Sequence, residues 1–245
     1  METCFRTEKG VRARNEDACG IWQFPGSGLT LLAVADGLGG HPAGDIASAV
    51  AVKELHSAVE RRLIHCPPPD PDELRSILAG GFSSADREVF SRGEGMPEWQ
   101  GLGTTLIAAL VNKDGRGILG NLGDSRAYAI GPNGIVRLTV DHSKVMEMAA
   151  KGIITLEQAD HHPLKNIVTR IVGRPGDIPD FYPLHIENTT LILCSDGLND
   201  GLQDGEIERI ARSTPFQNLC RALVDEALHK SRDNITVAAI KRSGP

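Results

Sequence analysis

Leu31-Leu32-Ala33-Val34-Ala35-Asp36-Gly37-Leu38-Gly39-Gly40 is the stretch that decides how this chain is read. An apolar run that ends in an aspartate and then loses almost all its side chains predicts a buried strand delivering one carboxylate to a glycine-rich loop. Asp-Gly also closes ordinary strands at turns, so a single instance carries little weight. The arrangement recurs, because Leu191-Ile192-Leu193-Cys194-Ser195-Asp196-Gly197 is a second apolar run closing on Asp-Gly. Asp233 sits just before the β-branched run Ile235-Thr236-Val237-Ala238-Ala239-Ile240, and Glu16-Asp17 follows Arg12 and Asn15. Acids at the ends of apolar strands are expected to converge at one rim of a sheet. Clustered carboxylates repel one another, and hard divalent cations with oxygen ligands make such a cluster favourable.

The rest of the composition narrows the class. A chain of 245 residues with 40% hydrophobic and 24% charged content is expected to form a single globular domain, residues 1–245, with a substantial core. The net charge of −6 argues against a general nucleic-acid binder. Five cysteines without CxxC spacing (4, 19, 66, 194 and 220) read as reduced, structural thiols, and Cys194 inside its apolar run as a buried, inert one. The N-terminus lacks a secretion signature and no apolar run approaches membrane-spanning length, so a cytoplasmic location without membrane association is expected.

In chain order, short strands are predicted at 3–8 and 18–23, and the first Asp-Gly strand at 29–36. A helix runs from Pro42 to about Leu63, then a stiff proline run (67–71), then a second helix over about 72–91. From Gly103 the period shifts to strands, with a hairpin turn at Asn112-Lys113-Asp114-Gly115 and a meander to Thr139. Residues 141–173 form a polar, histidine-containing insert with two helical patches, read as a flap over the site. Strands at 181–186 and 189–195, helices at 204–212 and 216–230 and a closing strand at 235–241 complete an α+β pattern. The expected architecture is a sandwich of antiparallel sheets covered by helices.

These residues together resemble the PP2C (PPM) family of metal-dependent protein serine/threonine phosphatases, over nearly the whole length. Arg12-x-x-Asn15-Glu16-Asp17 is similar to the family's opening motif, and Val34-Ala35-Asp36-Gly37-Leu38-Gly39-Gly40 to its metal loop. Gly103-Thr104-Thr105, Asn121-x-Gly123-Asp124-Ser125-Arg126, Asp141-His142-Ser143, Ser195-Asp196-Gly197 and Asp233-Asn234-Ile235-Thr236 resemble the later motifs, in order. His161-His162-Pro163-Leu164-x-Asn166-x-x-Thr169-Arg170 resembles the flap of the bacterial branch. The ordered set is specific where each motif alone is weak.

The resemblance implies a central β-sandwich of two antiparallel sheets flanked by paired helices. It implies two Mn²⁺ or Mg²⁺ ions: Asp36, Asp196 and Asp233 match the ligands of the first, and Asp36, the Gly37 carbonyl and Glu16 those of the second. Asp124 with Asp196 matches a third site of bacterial members. Asp17 and Asn234 are expected behind the ligands. Arg12 matches the arginine that grips the substrate phosphate with a fork of donors that Lys lacks, the alternative being a surface ion pair with Glu16 or Asp17. The implied activity is hydrolysis of phosphoserine and phosphothreonine in proteins by a metal-bridging water, in a monomer that opposes a bacterial serine/threonine kinase. The alternative is a catalytically silent phosphoprotein-binding module of the same fold. Leu38 is a departure, standing where eukaryotic members carry a proton-donating histidine; His41 is a nearby candidate, read first as a surface residue. His142, His161 and His162 are read as structural or substrate-facing, and Ser125 and Ser195 as satisfied polar groups, since neither sits in a nucleophile elbow.

Overall fold

The run at 29–36 forms strand β3 (Leu29–Asp36), seven of whose eight residues are buried. It is apolar at every position but Thr30 and the terminal Asp36 because both its faces are covered. Leu31, Ala33 and Ala35 belong to one core cluster, while Leu32 and Val34 belong to another, as the two-residue period of a strand requires. A computed structural model describes residues 1–38, 43–64, 70–94, 96, 99 and 101–242.

β3 lies in a five-stranded antiparallel sheet with β2 (Asp17–Phe24), β4 (Leu106–Asn112), β5 (Arg116–Leu122) and β8 (Asp180–His185), ordered β2-β3-β4-β5-β8. The second sheet, also antiparallel, takes β1 (Glu2–Glu8), β6 (Arg126–Gly131), β7 (Gly134–Arg137), β9 (Thr190–Cys194) and β10 (Ile235–Lys241), ordered β1-β10-β9-β6-β7. Three cores hold the layers together. The inner one joins Leu32, Ile107 and Leu119 of the first sheet to Leu191, Leu193 and Ala238 of the second. The first sheet's other face packs on α1 (Gly44–Leu63) and α2 (Pro71–Glu94) through residues such as Leu55, Leu78 and Phe82. The second sheet's outer face packs on α5 (Asp196–Gly201), α6 (Asp204–Ser213) and α7 (Phe216–Ala227) through Ile207, Leu219 and Leu223. This helix, sheet, sheet, helix layering is the expected α+β sandwich.

The insert at 141–173 carries the two predicted helical patches as α3 (Lys144–Ala150) and α4 (Leu156–Asp160), each with a side-chain N-cap. The expected start of α1 at Pro42, the proline run at 67–69 and Cys66 lie outside the described residues.

Two expectations are corrected. Cys4 and Cys220 are not reduced thiols: they form a disulfide between β1 and α7, 216 residues apart in sequence with Cα atoms 6.1 Å apart. The edge strand and the covering helix meet only in the tertiary structure, so cysteine spacing carries no trace of the pair. The other correction is the helix α5, which begins at Asp196, where only a strand end was anticipated.

Candidate metal and phosphate site

Asp36 is fixed by its backbone before its side chain does anything. Its N–H donates to Thr105 Oγ1 at 2.9 Å, and its carbonyl accepts from the Thr105 N–H and the Thr104 hydroxyl, both at 2.8 Å. Gly37 follows because nothing larger fits: a Cβ there would lie 2.2 Å from the Gly44 carbonyl oxygen and 2.8 Å from that of Glu16. Asp17 pairs with Asp36 across the β2–β3 ladder, and the Ser195 hydroxyl donates to its Oδ2 at 2.8 Å. Asp124 sits in the β5–β6 connection after Gly123, whose φ of 123° and closeness to Thr105 both demand glycine.

From the second sheet, Asp196 begins α5 after β9, and Asp233 precedes β10. Asn234 Oδ1 accepts from the Glu16 N–H at 2.8 Å, while its Nδ2 donates to the carbonyls of Lys9 and Arg14 at 2.9 Å. That one amide therefore pins the β1–β2 loop, and with it Arg12 and Glu16, to the start of β10. The acids converge as expected, with one difference: they come from both sheets and not from one sheet's rim, because the chain crosses between sheets in the β1–β2 and β5–β6 connections, which carry Glu16 and Asp124, while Asp196 and Asp233 flank β9 and β10 of the second sheet.

Glu16, Asp36, Asp124, Asp196 and Asp233 line a single cavity of about 260 Å³. Gly37, Leu38 and Thr105 form its wall, and Arg12 and Asn234 stand on the β1–β2 side. Asn166 and Val168 reach it from the flap. Asp17 lies outside this lining, behind Asp36. Arg12 pairs with neither Glu16 nor Asp17; its Nη2 lies 2.6 Å from Asp233 Oδ2 and its Nε donates to the Arg232 carbonyl at 3.2 Å.

Like charges in a partly buried pocket push one another toward protonation. The Asp36 carboxyl is held well above its usual range by burial, then by Asp17, Asp196 and Asp124. Burial and Asp196 raise Asp124 to about 8. Burial also raises Asp17 to about 7 against the opposing hydrogen bonds of Thr236 and Ser195, and burial with Asp233 raises Asp196 to about 6. Glu16 is raised by burial and then by Asp45, with Arg12 and Arg14 pulling it back. Asp17 Oδ1 and Asp196 Oδ1 are buried with no hydrogen-bond partner. Repelling carboxylates with orphaned oxygens fit hard divalent cations, the charge that reverses every one of these shifts. Among the described residues, no three His, Cys, Asp or Glu side chains close on one point. The acids ring a cavity with room for several waters, which suits ions that keep part of their hydration shell.

Other candidates are placed away from chemistry. No histidine is among the described residues lining the cavity, and His41 lies outside the described residues. His142 is buried behind Asp124, while His161 and His162 stand on the flap. Ser125 bonds Thr105 at 2.7 Å, and Ser195 also accepts from the Thr236 N–H. Burial pushes the Cys19 and Cys194 thiols up to about 12, so neither serves as a nucleophile. Asn166 was quoted in the flap motif without a role, and Val168 falls at one of that motif's unspecified positions; the only signal for either was a place in a segment expected to cover the site.

This layered αββα architecture, with its carboxylate cavity at the shared end of two sheets, defines the class of protein. The Protein phosphatase 2C family matches residues 9–234, and the chain belongs to that family. The chain is 34% identical to the serine/threonine phosphatase stp of Listeria welshimeri over 99% of its length and 96% of that protein. It is 34% identical to the protein phosphatase PhpP of Streptococcus pneumoniae, over 98% and 97%. Among solved structures it superposes on the serine/threonine phosphatase Stp1 of Staphylococcus aureus with a TM-score of 0.90, at 33% identity, covering 99% of this chain and 95% of that one. It also matches the catalytic domain of the serine/threonine protein phosphatase PstP, in complex with two manganese ions, with a TM-score of 0.81 at 28% identity, covering 97% and 96%. No helix among the described residues is long and apolar enough to cross a membrane.

Proposed function

We propose that this chain is a Mn²⁺- or Mg²⁺-dependent phosphatase that hydrolyses phosphoserine and phosphothreonine in proteins and opposes a serine/threonine kinase. One observation supports this most directly. The Asp36 carboxyl is flanked by Asp17, Asp196 and Asp124 on the wall of a cavity that Arg12 also lines. A phosphomonoester needs both halves of that arrangement, an anionic cage for cations and a guanidinium for its own oxygens.

In this reading Asp36, Asp196 and Asp233 hold one ion. Asp36, the Gly37 carbonyl and Glu16 hold a second, and Asp124 with Asp196 a third. When bound, such ions supply Lewis acidity that lowers the pKa of attacking water and offsets the phosphate charge. Arg12 grips the phosphoryl oxygens with its planar fork. Asp17, kept in place by Ser195, fixes the position of Asp36 and its neighbours from behind. Leu38 and Val168 give the mouth an apolar wall that limits access of bulk water. A silent binding module gains nothing from buried carboxylates held so far above their ordinary range.

The test is turnover of a phosphothreonine peptide and of p-nitrophenyl phosphate with Mn²⁺, stopped by EDTA and by Asp196→Ala. Wild-type activity in Asp196→Ala would contradict the assignment. Calorimetry that detects no Mn²⁺ binding to the wild type would favour the silent module.

A further inference from the structure

Three cationic residues outside the cavity lining have their backbones tied to it on the β1–β2 side. Lys9 and Arg14 belong to the loop that Asn234 pins by its two carbonyl bonds, and Arg232 offers its carbonyl to Arg12. All three residues are exposed. Among the described residues, none of the three has a carboxylate oxygen within 4.0 Å, whereas Arg12 beside them is paired with Asp233 at 2.6 Å. Their placement is not a matter of flexible chain ends. Asn234 and Asp233 line the cavity, and Gly10 lies so close that a Cβ on it would sit 2.5 Å from the Asp233 carbonyl oxygen.

The opposite rim differs. From the flap it presents Asn166 and Val168, both uncharged, and the neighbouring Lys165 is tied to Asp200 at 3.2 Å. A protein with a net charge of −6 thus places three exposed cationic residues, none ion-paired among the described residues, beside one side of an anionic cavity. The phosphate itself is met by Arg12, so these further cations are free to meet something beside it.

We propose that Lys9, Arg14 and Arg232 form a substrate-reading rim that selects phosphorylated segments carrying Asp or Glu within about three residues of the phosphorylated Ser or Thr, the reach of an extended chain of about 10 Å. The proposal rests on the phosphatase reading and adds the class of substrate to it. The rim works in two ways. Complementary charge at the mouth raises encounter with acidic segments, and each direct pair adds a modest, salt-sensitive contact. Segments with neutral flanks gain neither.

The experiment uses the Mn²⁺-loaded enzyme and three phosphothreonine peptides of one sequence, with acidic residues before the phosphothreonine, acidic residues after it, or the matching amides. The kcat/KM for at least one acidic peptide is expected to exceed that of the neutral one by about five- to tenfold, a gap that shrinks in about 0.5 M salt. Lys9→Gln/Arg14→Gln/Arg232→Gln is expected to remove the gap, read as the ratio of acidic- to neutral-peptide kcat/KM, so that a change in basal p-nitrophenyl phosphate turnover from losing the Arg14 charge near Glu16 does not enter the comparison. Arg14→Glu alone is expected to reverse the preference. Equal turnover of acidic and neutral peptides by the wild type, or a gap that survives the triple substitution, overturns the proposal. A wild type inert toward p-nitrophenyl phosphate instead removes the phosphatase reading. Peptide binding measured by fluorescence anisotropy then decides the rim by the same comparison.

Discussion

The Nδ1 of His142 accepts a hydrogen bond from the Gly123 amide at 3.1 Å, one residue before Asp124. On its other side Nε2 faces Asp180 Oδ2 at 3.0 Å, so the ring carries its hydrogen on Nε2 and spans from the base of the flap to the edge strand β8. The His142 N–H also donates to the Gly123 carbonyl, and Asn121 Nδ2 donates to the same oxygen. The turn that presents Asp124 is therefore held from below by a buried imidazole and not by a metal ligand.

Replacing His142 with Ala strands the buried Gly123 amide, a loss on the order of 1–3 kcal/mol. For a chain of this size that lowers the melting temperature by about 2–10 °C. It also frees the Asp124 turn, so Mn²⁺ binding measured by calorimetry should weaken. A variant that melts and binds Mn²⁺ like the wild type would show that the turn holds itself.

The acids of the cavity are a liability to the fold when no cation balances them. Burial and Asp196 carry Asp124 up to about 8 from its usual 3.8. A carboxyl raised on folding contributes stability that is complete below about pH 3.8 and lost as pH climbs through about 8. Chelator-treated Asp124→Asn, which cannot ionise there, should therefore melt above the wild type at pH 8, by about 2–6 °C, with the gap closing toward pH 5. Thermal melts in EDTA read this directly. Equal melting at pH 8 would mean that the carboxyls do not repel one another through the cavity.

Much of this architecture is readable from periodicity, and the exceptions share a cause. β3 and β9 announce themselves as unbroken apolar runs because each is buried on both faces. Both runs close on Asp-Gly, yet the chain continues into α5 after Asp196, with the Leu198, Gly201 and Leu202 that follow buried in the tertiary fold. Local sequence cannot separate the two outcomes. The Cys4–Cys220 bond and the His142–Gly123 contact depend on residues brought together by other elements, so neither leaves a pattern along the chain. The acids that line the cavity were readable for the opposite reason. An isolated Asp at the end of an apolar strand breaks the pattern around it, and the ordered family motifs named each one.

Gly37 admits no side chain. Its imagined Cβ meets two backbone oxygens, those of Gly44 and Glu16, neither of which can swing aside like a flexible side chain. Gly37→Ala must therefore push α1 or the β1–β2 loop away from Asp36, moving candidate ligands at once. Phosphatase activity with Mn²⁺ is expected to fall by about 100-fold or more, the scale of losses when reacting groups shift by about 1 Å. A melting temperature lower by about 2–8 °C should accompany it. Retained activity would mean that the close approach of α1 to this loop does not position the site.

Arg12 presents a different kind of test, because it and a cation want the same oxygen. Its guanidinium lies 2.6 Å from Asp233 Oδ2, a carboxylate assigned here to the first ion. If Arg12 served chiefly to shape the metal site, removing it would weaken Mn²⁺ binding. If it serves the substrate, Arg12→Ala frees Asp233, so Mn²⁺ binding measured by calorimetry should hold or tighten while KM for a phosphothreonine peptide rises by about 10- to 100-fold. Arg12→Lys keeps the charge but cannot offer two parallel donors, and should recover only part of that loss. Both variants leave the buried core untouched, since the Arg12 side chain is half exposed, so melting temperatures near that of the wild type are expected. Weaker Mn²⁺ binding in Arg12→Ala, with KM unchanged, would move Arg12 from the phosphate to the cation cage.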